Sequence, residues 1–349
     1  MDEKRKKKLL WQLPFLLLLI VGTILIIRQQ QSLPFHHSKG MIFGTFYSVT
    51  YQSDKNLDTE IEATLKKVDD ALSMFNKRSV ISRINQGSTY IDKTEEGLMF
   101  KDVYLRAMKI SEETDGAFDI TVAPLVNAWG FGFKTKEMPG KYSVDSLLQF
   151  VGYKKQELFS DEKGDGIHKK DARMMLDCSA IAKGYGTDAV AQLLMKNDIR
   201  NFMVEIGGEV VTKGINPNRV PWKIGVIKPT DDSLQVSQEL QTVLNITDRA
   251  MATSGNYRNF YYQGGKKYAH TIDPRTGYPV QHSLLSATVL TDNCTDADAY
   301  ATAFMVIGLE KTKKFLEKHP ELMAYLIYAN PDGSDSVWYS PTLKEKVMD

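Results

Sequence analysis

Apolar and polar positions divide this chain into elements that can be read before any chemistry is considered. Residues 9–27 carry no charge, include the runs Leu16–Ile20 and Ile24–Ile27, and are bracketed by Lys4, Arg5, Lys6, Lys7 and Lys8 on one side and Arg28 on the other. A helix of that length rises about 28 Å, roughly one hydrocarbon core. The basic cluster precedes the apolar run. The expected order is therefore a cytoplasmic basic segment over 1–8, a single-pass transmembrane signal-anchor over 9–27, and the remainder of the chain beyond the membrane. No small-x-small cleavage signal follows Ile27, so an uncleaved anchor is expected rather than a removed signal peptide. No cysteine follows the run, which excludes a bacterial lipoprotein, and no second apolar run is long enough to span. Residues 28–40 read as a polar linker.

Beyond the linker, Phe43 to Tyr51 alternates as a strand interrupted by Gly44. Leu57, Ile61, Leu65, Val68, Leu72 and Phe75 follow helical spacing. A second helix is predicted over Glu96 to Glu113, ended by Thr114, Asp115 and Gly116. Residues 124–142 carry Pro, Gly and Trp and read as a loop. Ala180 to Met195 is helical in composition despite Gly184 and Gly186. Strands are predicted over 202–206, 222–227, 243–246, 285–290 and 323–328. Helices and strands mix without regular βα alternation, so the fold class is α+β, and residues 41–345 read as one domain. Residues 133–175 carry no usable motif.

The chain has 349 residues, 42% hydrophobic and 25% charged, with net charge +1. This composition is globular and offers neither a basic face nor an acidic tail, so no nucleic-acid partner is expected. Two cysteines, Cys178 and Cys294, make no disulfide framework. Two buried thiols, or one bridge in an exported compartment, both remain open.

Five clusters hold candidate chemistry. Asp298 and Thr302 lie four residues apart in an apolar helical pattern, which stacks a carboxylate and a hydroxyl on one face. Such a hard oxygen pair suits Mg²⁺; a helix start or a solvated face is the plainer alternative. Thr114 to Leu125, followed by Trp129-Gly-Phe-Gly132, reads either as a ligand loop with an aromatic wall or as a plain turn, strand and loop. Leu176 to Gly186 sets Lys183 between small residues at a helix start. That is an anion site or a surface lysine, and it has neither the P-loop nor the dinucleotide glycine spacing. Glu205-Ile-Gly-Gly-Glu209 reads as a tight turn or a close backbone approach. In the fifth cluster, Ala252 to Tyr257 is followed by His270 to Pro279. His270 and Asp273 beside Arg275 suit acid–base or electrostatic work, or a structural turn.

Taken in order, these clusters resemble the ApbE family of membrane-associated FAD:protein FMN transferases. The resemblance covers about residues 41–310. It rests on Gly44-Thr45-Phe46-Tyr47, Gly116 to Thr121, Ala180 to Tyr185, Ile206-Gly-Gly208, His270 to Pro279, and Asp298 with Thr302. It implies tandem T-fold-like halves with FAD between them. Mg²⁺ would be held by the Ala180 carbonyl, Asp298 and Thr302, and the flavin site formed by Phe43, Phe75, Ala117, Phe118, Asp119, Asp177, Lys183 and Ile272. For the acceptor hydroxyl the expected general base is His270, with Asp273 either orienting it or helping locally. Phe43 stands where the family's first motif usually has Met, which keeps the flavin edge apolar and leaves its shape open.

The implied activity moves FMN from FAD to a Thr or Ser hydroxyl of an acceptor protein and releases AMP. The implied setting is a bacterial inner membrane, with the catalytic domain on the extracytoplasmic side and lipid contacting the N-terminal helix. Two rival readings share the residues: an FAD pyrophosphatase releasing FMN and AMP to water, and a non-catalytic membrane-anchored flavin-binding protein.

Overall fold

The computed structural model describes residues 12–24, 33–132, 139–229, 239–257 and 259–348. Residues 12–24 are helical and exposed. Among the described residues no helix is long and apolar enough to cross a membrane. The expectations for 1–11 and 25–32, which hold the basic segment, both ends of the proposed anchor and the first residues of the linker, lie outside the described residues.

The linker expectation ends early. Its last residues belong to β1 (Phe35–Ile42), which pairs with β2 (Thr45–Gln52) across a two-residue turn at Phe43 and Gly44. Both turn residues have positive φ, 52° and 73°, as a primed hairpin turn requires. The helices α1 (Asp58–Leu72) and α2 (Val80–Asn85) follow, then the long α3 (Glu95–Glu113). Thr94 Oγ1 caps α3 by accepting from Gly97 N at 3.2 Å. The stretch expected to be a loop contains α4 (Ala123–Ala128) and the start of α5 (Lys141–Leu148), while residues 133–138 lie outside the described residues. Pro124 sits in the first turn of α4, where its missing N–H costs the helix nothing. A hairpin of β3 (Gln156–Asp161) and β4 (Gly164–Lys169) fills the motif-poor region.

The second half of the chain runs through α6 (Ala182–Lys196), β5 (Phe202–Ile206), β6 (Glu209–Lys213), β7 (Lys223–Ile227), β8 (Leu240–Asn245) and β9 (Ala250–Gly255). After the short hairpin of β10 (Phe260–Gln263) and β11 (Lys266–Ala269) come β12 (Leu284–Thr291), α7 (Cys294–Ile307), α8 (Leu309–Leu316), β13 (Met323–Ala329), β14 (Asp335–Tyr339) and β15 (Val347–Met348).

Eight strands form one antiparallel sheet in the order β1-β2-β5-β6-β9-β12-β13-β14. It divides into two four-stranded halves joined at β6 and β9, and α6 precedes the inner hairpin of the first half as α7 precedes the outer hairpin of the second. This is α+β, as the element order predicts. Period-two alternation sorts the side chains between two faces. Ala324 and Leu326 join the core under α3 and α7, whereas Tyr325 and Ile327 face the small sheet β15-β8-β7. The helices thus cover one face, and the functional residues gather where α6 and α7 meet it.

Both cysteines are buried free thiols, so the bridge left open by the sequence is not formed.

Candidate functional site

Two helices cross closely because one side chain is missing and another is doubly used. A Cβ on Gly184 of α6 would lie 2.2 Å from the Cys294 carbonyl oxygen, so only glycine permits the approach. One turn along α6, Asp188 caps the start of α7. Its carboxylate accepts from Cys294 N at 2.8 Å, Thr295 N at 2.8 Å and Thr295 Oγ1 at 2.6 Å. The Asn293 side chain accepts from Asp296 N and completes the cap.

The crossing brings Asp298 against the first turn of α6. Gly184 N donates to Asp298 Oδ2 at 3.0 Å, while Lys183 Nζ stands 3.4 Å from Oδ1 and 3.5 Å from Oδ2. In a regular helix the Gly184 N–H would reach the Ala180 carbonyl. Here it serves Asp298, and the Ala180 carbonyl accepts no backbone hydrogen bond among the described residues. Thr302 lies one turn beyond Asp298, and its hydroxyl is 3.2 Å from Ser254 Oγ on β9. An undercommitted carbonyl, a buried carboxylate and a hydroxyl form a hard oxygen set of the kind Mg²⁺ prefers. Among the described residues no three His, Cys, Asp or Glu side chains form a metal-holding group.

The paired glycines form the turn joining β5 to β6, with φ of 64° at Gly207 and 104° at Gly208. That turn places Glu209 in the same cluster, with Oε1 3.0 Å from Lys183 Nζ. Burial pushes the Glu209 carboxyl up to about 7, against the pull of the Lys183 ammonium. Burial also opposes charge on Lys183, but Asp298 and Glu209 outweigh it and hold the ammonium well above the ordinary lysine range.

These groups line a cavity of about 390 Å³. Its walls include the expected metal residues Ala180, Asp298 and Thr302, the expected base His270, and Phe75, Ala117, Phe118, Asp119, Asp177, Lys183 and Ile272. His270 Nδ1 lies 3.2 Å from the Asn259 carbonyl. A carbonyl only accepts, so Nδ1 is the donor in this contact.

Two expected residues lie elsewhere. Phe43 lines an adjoining cavity that shares Met74, Phe75, Ser179 and Lys183 with the first, and its ring packs over Gly186. Asp273 is outside the cavity lining, and its two oxygens bond Arg275 Nε and Nη2 at 2.9 Å each. Asp119 lines the cavity, but its carboxylate is committed to Thr121 and to Tyr153 N, so it braces the wall. The start of α6 presents fewer open amides than an anion site needs. Ala182 N goes to Cys178 O, Gly184 N to Asp298 and Tyr185 N to Ile181 O, which leaves the Lys183 side chain to meet an anion. The aromatic wall is Phe131, whereas Trp129 is buried in a separate cluster with Nε1 donating to Gly277 O at 2.8 Å.

Sequence reasoning missed Glu209, Ser254 and the part played by Gly184. The signal for Glu209 was a charged residue opening a strand immediately after a two-glycine turn.

Residues 43–327 match the sequence profile of the ApbE family. The chain is 36% identical over 303 residues to the FAD:protein FMN transferase of Haemophilus influenzae, covering 84% of this chain and 86% of that protein. It is 36% identical over 305 residues to the enzyme of the same name from Vibrio cholerae, covering 85% and 88%. The solved structure of the flavin transferase ApbE from Vibrio cholerae superposes with a TM-score of 0.78 at 34% identity, covering 90% of this chain and 99% of that one.

Proposed function

This chain belongs to the ApbE family and is an FAD:protein FMN transferase, and from that premise we propose how its residues divide the work. FAD is the substrate. The hydroxyl oxygen of an acceptor Ser or Thr forms a bond to the FMN phosphorus, the bond from that phosphorus to the AMP phosphate oxygen breaks, and AMP departs. The hydroxyl proton goes to the His270 imidazole, which lines the cavity and is held at Nδ1 by the Asn259 carbonyl.

Asp298, Thr302 and the Ala180 carbonyl would hold a Mg²⁺ ion. When bound, that ion supplies charge neutralisation to the diphosphate and to the departing AMP. Lys183 adds a positive charge beside Asp298, and Phe75, Phe118 and Ile272 offer apolar surface to the flavin. Asp177 and the backbone at Ala117 border the same space, while Asp119 serves by holding its loop. Phe43 shapes the adjoining apolar recess. Asp273 acts at a distance, as the anchor of the turn that follows His270.

The observation that carries this reading is the meeting of the buried Asp298 carboxylate, the Thr302 hydroxyl and His270 in one cavity. The test is AMP release from FAD as Mg²⁺ is titrated, in the parent and in Asp298→Ala. Saturable Mg²⁺ dependence that Asp298→Ala abolishes supports the assignment. Equal Mg²⁺-dependent turnover in both removes it.

The same reading places the catalytic domain on the extracytoplasmic face, tethered by residues 9–27. Support comes from their lack of charge and from the basic cluster before them. Such a tether keeps the enzyme beside exported or membrane-bound acceptors. Protease added outside spheroplasts is expected to digest the domain, and protection from it would reverse the orientation.

A further inference from the structure

Glu209 stands outside the metal set and the proposed base, yet it is built into the cavity. Its side chain is 4% exposed, and Oε2 has no hydrogen-bond partner in the structure. A buried carboxylate oxygen without a partner is costly and calls for a use. Its other oxygen meets Lys183 Nζ at 3.0 Å, while Asp298 lies 3.4 Å from the same ammonium. Lys183 thus stands between two buried carboxylates and sits nearer the one that is not a proposed metal ligand.

The geometry points to Glu209 as a positioning residue that draws the Lys183 ammonium off Asp298 and so leaves Asp298 open to a divalent cation. The inference rests on the proposed cation seat at Asp298. With Asp298 as its sole partner, Lys183 would pair fully with that carboxylate and compete with any cation for it. With both carboxylates ionised and one ammonium the cluster carries a formal charge of about −1, which attracts a divalent ion. When the cation takes Asp298, Lys183 keeps Glu209 as its counter-ion. The ammonium is then neither expelled nor left unpaired in a buried site, and it remains beside the space the diphosphate would occupy.

The test is a calorimetric titration of Mg²⁺ alone, without FAD, into the full chain in detergent. The parent is compared with Glu209→Gln, Lys183→Met and the double variant. Glu209→Gln is expected to weaken Mg²⁺ binding about tenfold or more, the size typical of groups that orient metal ligands. Lys183→Met removes the competitor and is expected to bind at least as tightly as the parent. In the Lys183→Met background, Glu209→Gln should cost several-fold less than it does when Lys183 is present, because the effect runs through the lysine. An equal loss in both backgrounds would show Glu209 acting by charge alone and overturn the inference. So would unchanged binding in Glu209→Gln, or weaker binding in Lys183→Met. If Asp298→Ala binds Mg²⁺ as the parent does, the cation seat itself fails and takes the inference with it, a result distinct from failure at Glu209.

Discussion

Gly184 donates its backbone N–H to Asp298 Oδ2 at 3.0 Å, and a methyl group at Gly184 would lie 2.2 Å from the Cys294 carbonyl oxygen. One hydrogen bond and one steric limit therefore fix the distance between the two helices that carry the site. Alanine favours an interior helical position over glycine by about 1 kcal/mol. The clash is with backbone rather than with a yielding side chain, and overpacking of this kind costs about 1–3 kcal/mol. Gly184→Ala is expected to lower the urea midpoint and to weaken Mg²⁺ binding together. Unchanged stability would show that the helices separate freely.

Asp188 fixes the other end of the same crossing through three accepted hydrogen bonds. Asp188→Asn loses the charge that complements the start of α7 and one acceptor oxygen. The expected loss is about 1–2 kcal/mol in chemical denaturation, with FMN transfer reduced because Asp298 sits one turn further along. Full activity in a destabilised variant would separate the cap from the site.

His270 is expected to carry the proton of the acceptor hydroxyl. Removing a general base usually lowers turnover about 100- to 10,000-fold. His270→Ala should lose activity in that range while FAD affinity changes little, and added imidazole should restore part of the rate. Parental turnover in the variant would remove His270 from the mechanism.

Stability should depend on pH through His282, which faces no metal ligand. Its Nε2 donates to Met305 O at 2.8 Å, and Leu284 N donates to Nδ1 at 3.2 Å, so the ring is held neutral. Burial lowers its pKa below the ordinary 6.5, against the hydrogen bond to Met305. Below 6.5 the unfolded chain takes up a proton that the folded chain refuses. The contribution of His282 is therefore complete above that pH and declines as the pH falls below it. Thermal unfolding from pH 7.5 to 5.5 should show the parent losing stability relative to His282→Gln on acidification. A constant difference between the two would contradict the assignment.

Much of this was legible in the chain. The Asp298–Thr302 spacing named one helix face, and that face opens into the cavity. The strands predicted over 202–206, apolar but for Glu205, and over 323–328, a continuous apolar run, recur within a residue of those bounds. Other parts were hidden for physical reasons. Polar residues dominate β3 and β4, and Leu158 and Ile167 carry most of their apolar packing, too little for a periodic signal. Pro124 looked like a loop marker and proved to begin a helix. Glu209 at the start of β6 meets Lys183 on α6, and a contact between two elements of that kind leaves no local spacing to read. Asp273 looked chemical beside His270, yet its carboxylate closes a turn onto Arg275. Local pattern marks which residues face a common direction, and tertiary contacts decide which of them keep an uncommitted atom.

The most direct test of the account is the intact mass of an acceptor protein after incubation with FAD, Mg²⁺ and the full chain. The expected result is an added FMN mass on a Ser or Thr of the acceptor, lost when Mg²⁺ is withheld and lost with Asp298→Ala. AMP and free FMN without an adduct on acceptors that homologous transferases modify would contradict it and favour hydrolysis of FAD.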